Sequence, residues 1–272
     1  MTTEGGYDRL ERFDDVDATG EEAMFFAFLD RIEGLTDVVR RRERSYELLA
    51  LRPGITAVDV GCGVGTAARD LEKRLEPGGS AHGIDLSAAM IAEAKRRGTR
   101  AGLACHFHCA SAEQLPFEAG SVHAYRAERL YQHLTNPQAV LGEAFRVLAP
   151  GGRIVLIDQD WDLAILDGDN LEIARMVQRA FSNSLVNGTI GRQFRRLLLD
   201  AGFGEVSIEA DTVALSDAHQ YGFVVDIMRR AALGGGVDSA LVESWSADQH
   251  QRIEQDRFFM SMTHFLASAT RP

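Results

Sequence analysis

A glycine-rich bend flanked by carboxylates is the part of the sequence best suited to binding a ligand. The run AVDVGCGVGT at residues 57–66 starts as a short β-branched strand, turns at three closely spaced glycines and continues into a helical pattern. Glycine permits the sharp turn and lets a ligand lie against the main chain, because it carries no Cβ. The N–H groups of the first helical turn face such a ligand. The run therefore predicts a strand, a ligand-binding bend and a helix N-terminus.

The charges around this bend discriminate between the nucleotide-like ligands that it could hold. Thr66 replaces the third glycine of the dinucleotide pattern, and Asp59, two residues before the first glycine, would repel a pyrophosphate. An ammonium group would be attracted instead, which favours S-adenosylmethionine, since its amino group and its sulfonium are both cationic. Twenty positions after Gly65, an apolar strand at 81–84 ends in Asp85, which could accept hydrogen bonds from both ribose hydroxyls.

Four short motifs follow one another in a fixed order along the chain. They are VDVGCGVG at 58–65, GIDLS at 83–87 followed by Met90, LPF at 115–117 and VLAPGGR at 147–153. In order and spacing they resemble the motifs of class I S-adenosylmethionine-dependent methyltransferases, over about residues 51–160. The small-molecule branch, which includes quinone C-methyltransferases and methyltransferases of secondary metabolism, is the most similar. The resemblance implies methyl transfer to a C, O or N nucleophile of a small molecule, with S-adenosylhomocysteine as the product.

The bend and the resemblance together imply where the cofactor binds. The predicted contacts are Asp59, Gly61, Cys62, Gly63, Gly65, Asp85, Leu86, Met90, Ser111, Ala112, Glu113 and Arg126. Ser111 stands where the family usually carries an acid that holds the adenine amino group. Either the Ser111 hydroxyl or the Glu113 carboxylate would then supply that contact.

Candidate catalytic and substrate-binding groups follow the fourth and fifth predicted strands and precede the first. His133 could act as a general base, because imidazole titrates near neutral pH, or it could only shape the pocket. Asp158 and Asp160 could form an acid/base pair, orient a cationic substrate, or serve as a helix cap and solvated loop acids. The predicted substrate-binding residues are Tyr7, Phe25, Arg129 and Trp161, although Phe25 is equally compatible with plain packing.

The run CHFHC at 105–109 has the residue types of a metal site without the spacing. On a strand, the two cysteines would lie about 13 Å apart on one face, with both histidines on the other. One ion cannot gather all four side chains, so we predict a core strand and no metal.

The composition is typical of one ordinary globular domain. The chain has 272 residues, of which 45% are hydrophobic and 25% charged, and a net charge of -11 at pH 7. Since nucleic-acid binding depends on neutralising phosphates with Lys and Arg, we expect no nucleic-acid partner. No apolar run approaches the roughly 18 residues needed to span a bilayer, and the N-terminus does not resemble a signal peptide. We therefore expect a cytoplasmic protein with no membrane partner, either a monomer or a homo-oligomer.

Alternating strand and helix patterns predict an α/β fold with a doubly wound, mostly parallel sheet. By resemblance it has seven strands, the last of them antiparallel. The strands are predicted at 58–60, 81–84, 104–109, 122–126, 153–158, 206–213 and 258–267, with connecting helices near 66–75, 88–97, 112–114 and 137–148. Residues 1–50 are predicted as an N-terminal flap and lid helices. Residues 51–272 are predicted as a Rossmann-like methyltransferase domain with a helical cap near 160–190.

Two other functions remain compatible with the sequence. The protein could bind S-adenosylmethionine and promote a cyclisation or isomerisation, in which case the product gains no methyl group. It could also be an NAD-dependent oxidoreductase, which Asp59 and Thr66 disfavour. A comparison of stabilisation by S-adenosylhomocysteine and by NAD separates this last function from the other two.

Overall fold

The computed structural model describes residues 16–217 and 221–272, so Tyr7 lies outside the described residues. Within them, one sheet has the strand order β3-β2-β1-β4-β5-β7-β6. Its strands are β1 (Thr56–Val60), β2 (Ser80–Asp85), β3 (His106–Cys109), β4 (Val122–Glu128), β5 (Leu148–Leu166), β6 (Gly204–Leu215) and β7 (Met260–Thr270). Strand β7 is antiparallel to β5 and β6, whereas the other pairs are parallel. The predicted doubly wound sheet with an antiparallel last strand is confirmed.

Helices flank the sheet along the described part of the chain. They are α1 (Glu22–Glu33), α2 (Thr36–Leu48), α3 (Thr66–Leu75), α4 (Ala88–Arg100), α5 (Pro137–Val147), α6 (Leu171–Ser184), α7 (Phe194–Asp200), α8 (Phe223–Gly234) and α9 (Ser239–Glu254). Short 3-10 turns lie at Val16–Ala18, Tyr131–His133 and Ile190–Gln193. In the described ranges, no helix combines the length and the apolar character needed to cross a membrane.

The two largest apolar clusters among the described residues lie in different parts of the fold. The first packs the central strands against α5 and α7, and includes Tyr125, Leu141 and Phe194. The second packs α6, α8 and α9 against the far ends of β5, β6 and β7, and includes Val177 and Met228. Each fully buried side chain of this size contributes about 1.5–3 kcal/mol. The second cluster therefore gives the helices over the carboxyl edge a core of their own.

Residues 112–114, predicted as a helix, form a turn instead. The Ser111 hydroxyl accepts a hydrogen bond from the Glu113 N–H at 3.1 Å, which closes the turn. Pro116 follows directly and disfavours helical geometry at Leu115. The Leu115 N–H donates to the Glu143 carboxylate of α5 at 2.7 Å instead of to a helical carbonyl. The connection from β3 to β4 is therefore an extended loop.

Strand β5 runs well past its predicted end at Asp158, through the start of the predicted cap, as far as Leu166. It continues because β7 pairs with it along this length, from Arg153 to Leu166, with one register shift between Asp160 and Ile165. Such a bulge bends a strand without ending it. The helical part of the predicted cap thus begins only with α6.

Candidate functional site

A cavity of about 880 Å³ lies at the carboxyl ends of the parallel strands. This is in the upper part of the usual range for small-molecule sites. We call the wall formed by the bend after β1, the end of β2, the start of α4 and the loop after β3 the bend side. We call the wall formed by α1, α2, α6, α8 and the facing residues of β5, β6 and β7 the cap side. Nine of the twelve predicted cofactor residues line the bend side: Gly61, Cys62, Gly63, Asp85, Leu86, Met90, Ser111, Ala112 and Glu113.

The bend has a main-chain geometry that favours glycine. Gly61, Gly63 and Gly65 have φ values of 73°, 50° and 77°. A Cβ at Gly61 would lie 3.1 Å from the Leu130 side chain, and one at Gly65 would lie 2.5 Å from the ring of Phe107. Gly65 is not part of the cavity wall, so what it allows is the close packing of the bend on β3.

Asp85 links the end of β2 to the bend. Its carboxylate accepts hydrogen bonds from the Gly63 N–H at 2.8 Å and from the Ser87 N–H at 3.0 Å. Burial raises the pKa of Asp85, and these N–H donors oppose that rise. A carboxylate has about four acceptor positions, so it keeps capacity for ligand hydroxyls on the cavity side.

Asp59 and Arg126 lie behind the cavity wall and pair with each other. The Arg126 guanidinium donates to Asp59 Oδ1 at 2.9 Å, to the Ser45 hydroxyl at 2.9 Å and to Glu128. Burial raises the pKa of Asp59 to about 6, although Arg126 opposes the rise. The Asp59 carboxylate therefore pairs with Arg126 of the neighbouring strand β4. The acid that reaches the cavity here is Glu128, whose pKa is lowered because Arg126 and Arg129 outweigh the effect of burial.

The turn Tyr131–His133 after β4 brings His133 to the cavity wall. Asp158 holds this turn from below, where its Oδ2 accepts the Gln132 N–H at 3.3 Å. Asp158 is fully buried, and burial raises its pKa to about 8, so the carboxyl is largely protonated at neutral pH. It is not part of the cavity wall and has no path to an acceptor; it positions the turn.

Asp160 is also fully buried, and it forms a salt bridge with Arg192 away from the cavity. The predicted pairing of Asp158 and Asp160 as an acid/base couple in the site is thus not what the structure shows. Arg129 lies on the cavity wall. It has a positive φ of 55°, and its N–H donates to Ile157 O at 2.8 Å.

Trp161 lies on the cavity wall, whereas Phe25 is packed in the core and is not part of the wall. The Trp161 indole N–H donates to Gln132 Oε1 at 3.0 Å. The Trp161 and Phe181 rings pack edge to face, with their centroids 4.7 Å apart. Phe25 is fully buried in a cluster of apolar side chains, so packing is what the structure shows for it. Its neighbour Phe28 lines the cavity instead.

Several cap-side residues were not predicted from the sequence. Gln159 and His264 line the cavity from the neighbouring strands β5 and β7, and Tyr221 lines it just before α8. The Tyr221 hydroxyl donates to Asp37 at 2.7 Å. The sequence signal for His264 is a lone histidine inside the apolar run 258–267, for which the sequence predicts only a strand.

The histidines of β2 and β3 stack on one another at the sheet edge. His82 lies 4.8 Å from His106 and 5.4 Å from His108, measured between ring centroids. His82 Nδ1 and His108 Nε2 are 3.2 Å apart, so one ring hydrogen-bonds the other. Across the described ranges, no group of three or more metal-binding side chains is arranged to hold an ion.

Comparisons with known proteins relate the chain to methyltransferases. Residues 57–152, which carry the bend and the strand ends, match the family model described as a methyltransferase domain. Over 248 residues, the chain is 35% identical to an uncharacterized 37.1 kDa protein in transposon TN4556 of Streptomyces fradiae, covering 89% of this chain and 70% of that one. It is 32% identical over 138 residues to the demethylmenaquinone methyltransferase of Thermus thermophilus, covering 51% of this chain and 62% of that enzyme.

Solved structures share the fold at low sequence identity. The geranyl diphosphate C-methyltransferase of Streptomyces coelicolor A3(2), in complex with S-adenosylhomocysteine, superposes with a TM-score of 0.57 at 18% identity, over 98% of this chain and 90% of that one. The cyclase SpnF superposes with a TM-score of 0.55 at 20% identity, over 86% and 80%. At these identities the likeness concerns the fold.

Proposed function

Because the chain belongs to the class I S-adenosylmethionine-dependent methyltransferases, we propose that it transfers the sulfonium methyl group to a C, O or N nucleophile of a largely apolar small molecule, in secondary metabolism. The observation that carries the proposal is that the bend side and the cap side are walls of one cavity. A donor on the glycine bend and an acceptor under the cap would share one space. That arrangement favours direct transfer, since alignment is the main contribution that a protein makes to an activated methyl donor.

The bend side would hold the cofactor through its main chain and one carboxylate. Gly61 and Gly63 leave the main chain accessible, and Asp85 accepts the ribose hydroxyls. Glu128 is the cavity-facing acid for the amino group, in place of Asp59 behind it. The adenine contact falls to Ser111 or Glu113 on the loop after β3.

On the turn after β4, between the two sides, His133 is the candidate general base. A base is needed only if the acceptor must lose a proton as it is methylated. Arg129 and Trp161 are the candidate acceptor contacts, because both line the same cavity as His133. Asp158 and Asp160 lie outside the wall and are left out of this proposal.

Binding of S-adenosylhomocysteine tests the cofactor assignment. We expect the product to raise the melting temperature in a concentration-dependent manner and to bind measurably by calorimetry, because a ligand that binds the folded state stabilises it. NAD at the same concentration should do neither. Stabilisation by NAD without any by S-adenosylhomocysteine would reverse the cofactor assignment.

A second function, cyclisation with S-adenosylmethionine bound but not consumed, is supported by the shared fold with the cyclase SpnF. The mass of the product separates the two functions. Methyl transfer adds one methyl group and releases one S-adenosylhomocysteine per turnover. Isomerisation leaves both the acceptor mass and the cofactor unchanged.

A further inference from the structure

Polar side chains form a row across three neighbouring strands beneath the cap. In the antiparallel register, His264 of β7 lies opposite Gln159 of β5 on one side and opposite Asp211 of β6 on the other. Directly opposite residues share a face of the sheet, with Cβ atoms about 5 Å apart. Gln159 and His264 both belong to the cavity wall.

Gln159 and His264 keep hydrogen-bonding capacity that the protein does not fill. Their relative exposures are 6% and 4%, so both are more than nine-tenths buried. Among the described residues, neither Gln159 Oε1 nor His264 Nδ1 has a hydrogen-bond partner. Buried polar atoms without partners are rare because each costs free energy. Two of them on adjacent side chains in a cavity wall indicate a place where a ligand supplies the missing partner.

The charges around this pair are already compensated. Arg41 pairs with Asp37 at 2.7 Å and with Asp211 at 3.1 Å, and Arg129 lies 4.0 Å from Glu33. Burial, and then Arg41, lowers the pKa of His264 to about 3, so its imidazole is neutral. A phosphate or carboxylate brought to this pair would lose its hydration, and the nearby Arg41 and Arg129 would not compensate for that loss because carboxylates already neutralise them. A neutral polar group would not carry that cost.

The rest of the cap side is mostly apolar and aromatic, although polar and charged residues of the helices and of the segment just before α8 also line it, namely Glu33, Asp37, Arg41, Asn183, Ser184, Tyr221 and Arg230. Phe28, Phe181, Phe223, Ile227 and Met262 line it. Such walls bind a carbon skeleton by removing it from water, and the few polar groups among them fix its orientation. An acceptor here would therefore be mainly hydrocarbon, with its polar group at the Gln159–His264 pair.

We propose that the acceptor is an uncharged, mainly apolar molecule that carries a hydroxyl group, and that Gln159 and His264 bind this hydroxyl. A hydroxyl suits the pair because it can donate one hydrogen bond and accept another. The inference rests on the proposed function, whose acceptor side it specifies. The two residues bind and orient the acceptor, and they take no proton from it.

Three naphthalene probes test the chemistry of this subsite. The probes are 2-naphthol, 2-methylnaphthalene and 2-naphthyl phosphate, titrated into the full chain with and without S-adenosylhomocysteine and followed by their own fluorescence. We expect 2-naphthol to bind about tenfold more tightly than 2-methylnaphthalene, since one hydrogen bond to a buried partner contributes a factor of roughly this size. We expect 2-naphthyl phosphate to bind more weakly than 2-naphthol.

Variants assign the preference to the pair. His264→Leu and Gln159→Met should each reduce the preference for 2-naphthol over 2-methylnaphthalene to about twofold, and leave the affinity for 2-methylnaphthalene unchanged. Ser268→Ala is the matched control, because Ser268 is a buried polar residue of the same strand that is not part of the cavity wall. It should keep the full preference. His264→Asn retains a neutral polar group and should restore part of the preference that His264→Leu removes.

Several outcomes would overturn the inference. They are equal binding of 2-naphthol and 2-methylnaphthalene, no binding of either, tightest binding of 2-naphthyl phosphate, or a hydroxyl preference that persists in both variants. Each variant is first checked for a cooperative thermal transition. Failure of the proposed function looks different: S-adenosylhomocysteine would not bind, whatever the order of the naphthalene probes.

Discussion

The two sides of the cavity are assembled from the chain in different ways. The bend side comes from consecutive elements, and its link from Gly63 to Asp85 spans 22 positions. The cap side joins distant segments, and its link from Tyr221 to Asp37 spans 184 positions. A site assembled from neighbouring elements has a legible motif, because spacing in sequence sets spacing in space. A site assembled across the fold depends on strand register and helix packing, which no short motif encodes.

The largest effect that we expect follows from a Cβ on the bend side. Gly65→Ala should lower the free energy of unfolding by about 3 kcal/mol, because it adds a left-handed backbone penalty to overpacking against Phe107. Chemical denaturation measures the loss. Gly54→Ala is the control, since Gly54 has a φ of +83° but nothing within 4 Å of the added Cβ. Equal losses in the two variants would mean that packing against Phe107 contributes nothing.

The second-largest effect that we expect is on cofactor affinity, through the Asp85 contact on the bend side. Asp85→Ala removes a charged acceptor of two ribose hydroxyls, so we expect the affinity for S-adenosylhomocysteine to fall by about 100-fold. Calorimetry measures it, and circular dichroism checks the fold. Asp169→Ala, an exposed carboxylate away from the cavity, should leave the affinity unchanged. An unaltered affinity in Asp85→Ala would remove the ribose assignment.

Asp158 lies under the turn that joins the two sides, and it predicts a pH dependence. Its pKa is raised in the folded state to about 8, so its contribution to stability is complete below its unfolded pKa and is lost as the pH rises through about 8. Asp158→Asn cannot titrate. Relative to this variant, the wild-type protein should therefore lose about 2 kcal/mol between pH 6 and pH 8. Denaturation at each pH measures the difference, and parallel curves would contradict the prediction.

The smallest effect separates the cap side from the bend side. Trp161→Phe shortens an aromatic wall and removes the indole donor to Gln132. We expect about threefold weaker binding of 2-naphthol, with no change for S-adenosylhomocysteine. Trp245→Phe serves as control because Trp245 is buried in the second core rather than in the cavity wall. A matching loss of cofactor affinity in Trp161→Phe would show that the two sides are not separable.

The sequence predicted the strands and the residues of the bend because each of these has a local signal, whereas the antiparallel direction of the last strand was implied by the family resemblance. Glycines with positive φ, an acid at a strand end and apolar runs of strand length are visible without knowing the fold. Asp59 and Arg126 were placed at the right strands but not at the right depth. They pair across β1 and β4 only in the folded protein. The sequence does not show that Glu128, rather than Asp59, faces the cavity.

The cap side was poorly predicted for a physical reason. The end of β5 was set too early because the polar run from Asp158 to Asp162 looks like a loop, whereas pairing with β7 keeps it extended. Gln159 and His264 became site residues only once that pairing set their register. Residues 112–114 were predicted as a helix but form a turn, because Pro116 and the hydrogen bond to the Ser111 side chain outweigh a weak helical pattern.

The bulge in β5 between Asp160 and Ile165 has a consequence for how this fold can vary. An irregular stretch absorbs inserted or deleted residues, whereas a slip of one residue in a regular ladder would turn every later side chain to the opposite face. Chain length can therefore change beyond Asp160 while the pairing of Gln159 with His264 stays fixed. This bulge therefore allows the segment beyond Asp160 to diversify in evolution while the pairing beneath the cap is conserved.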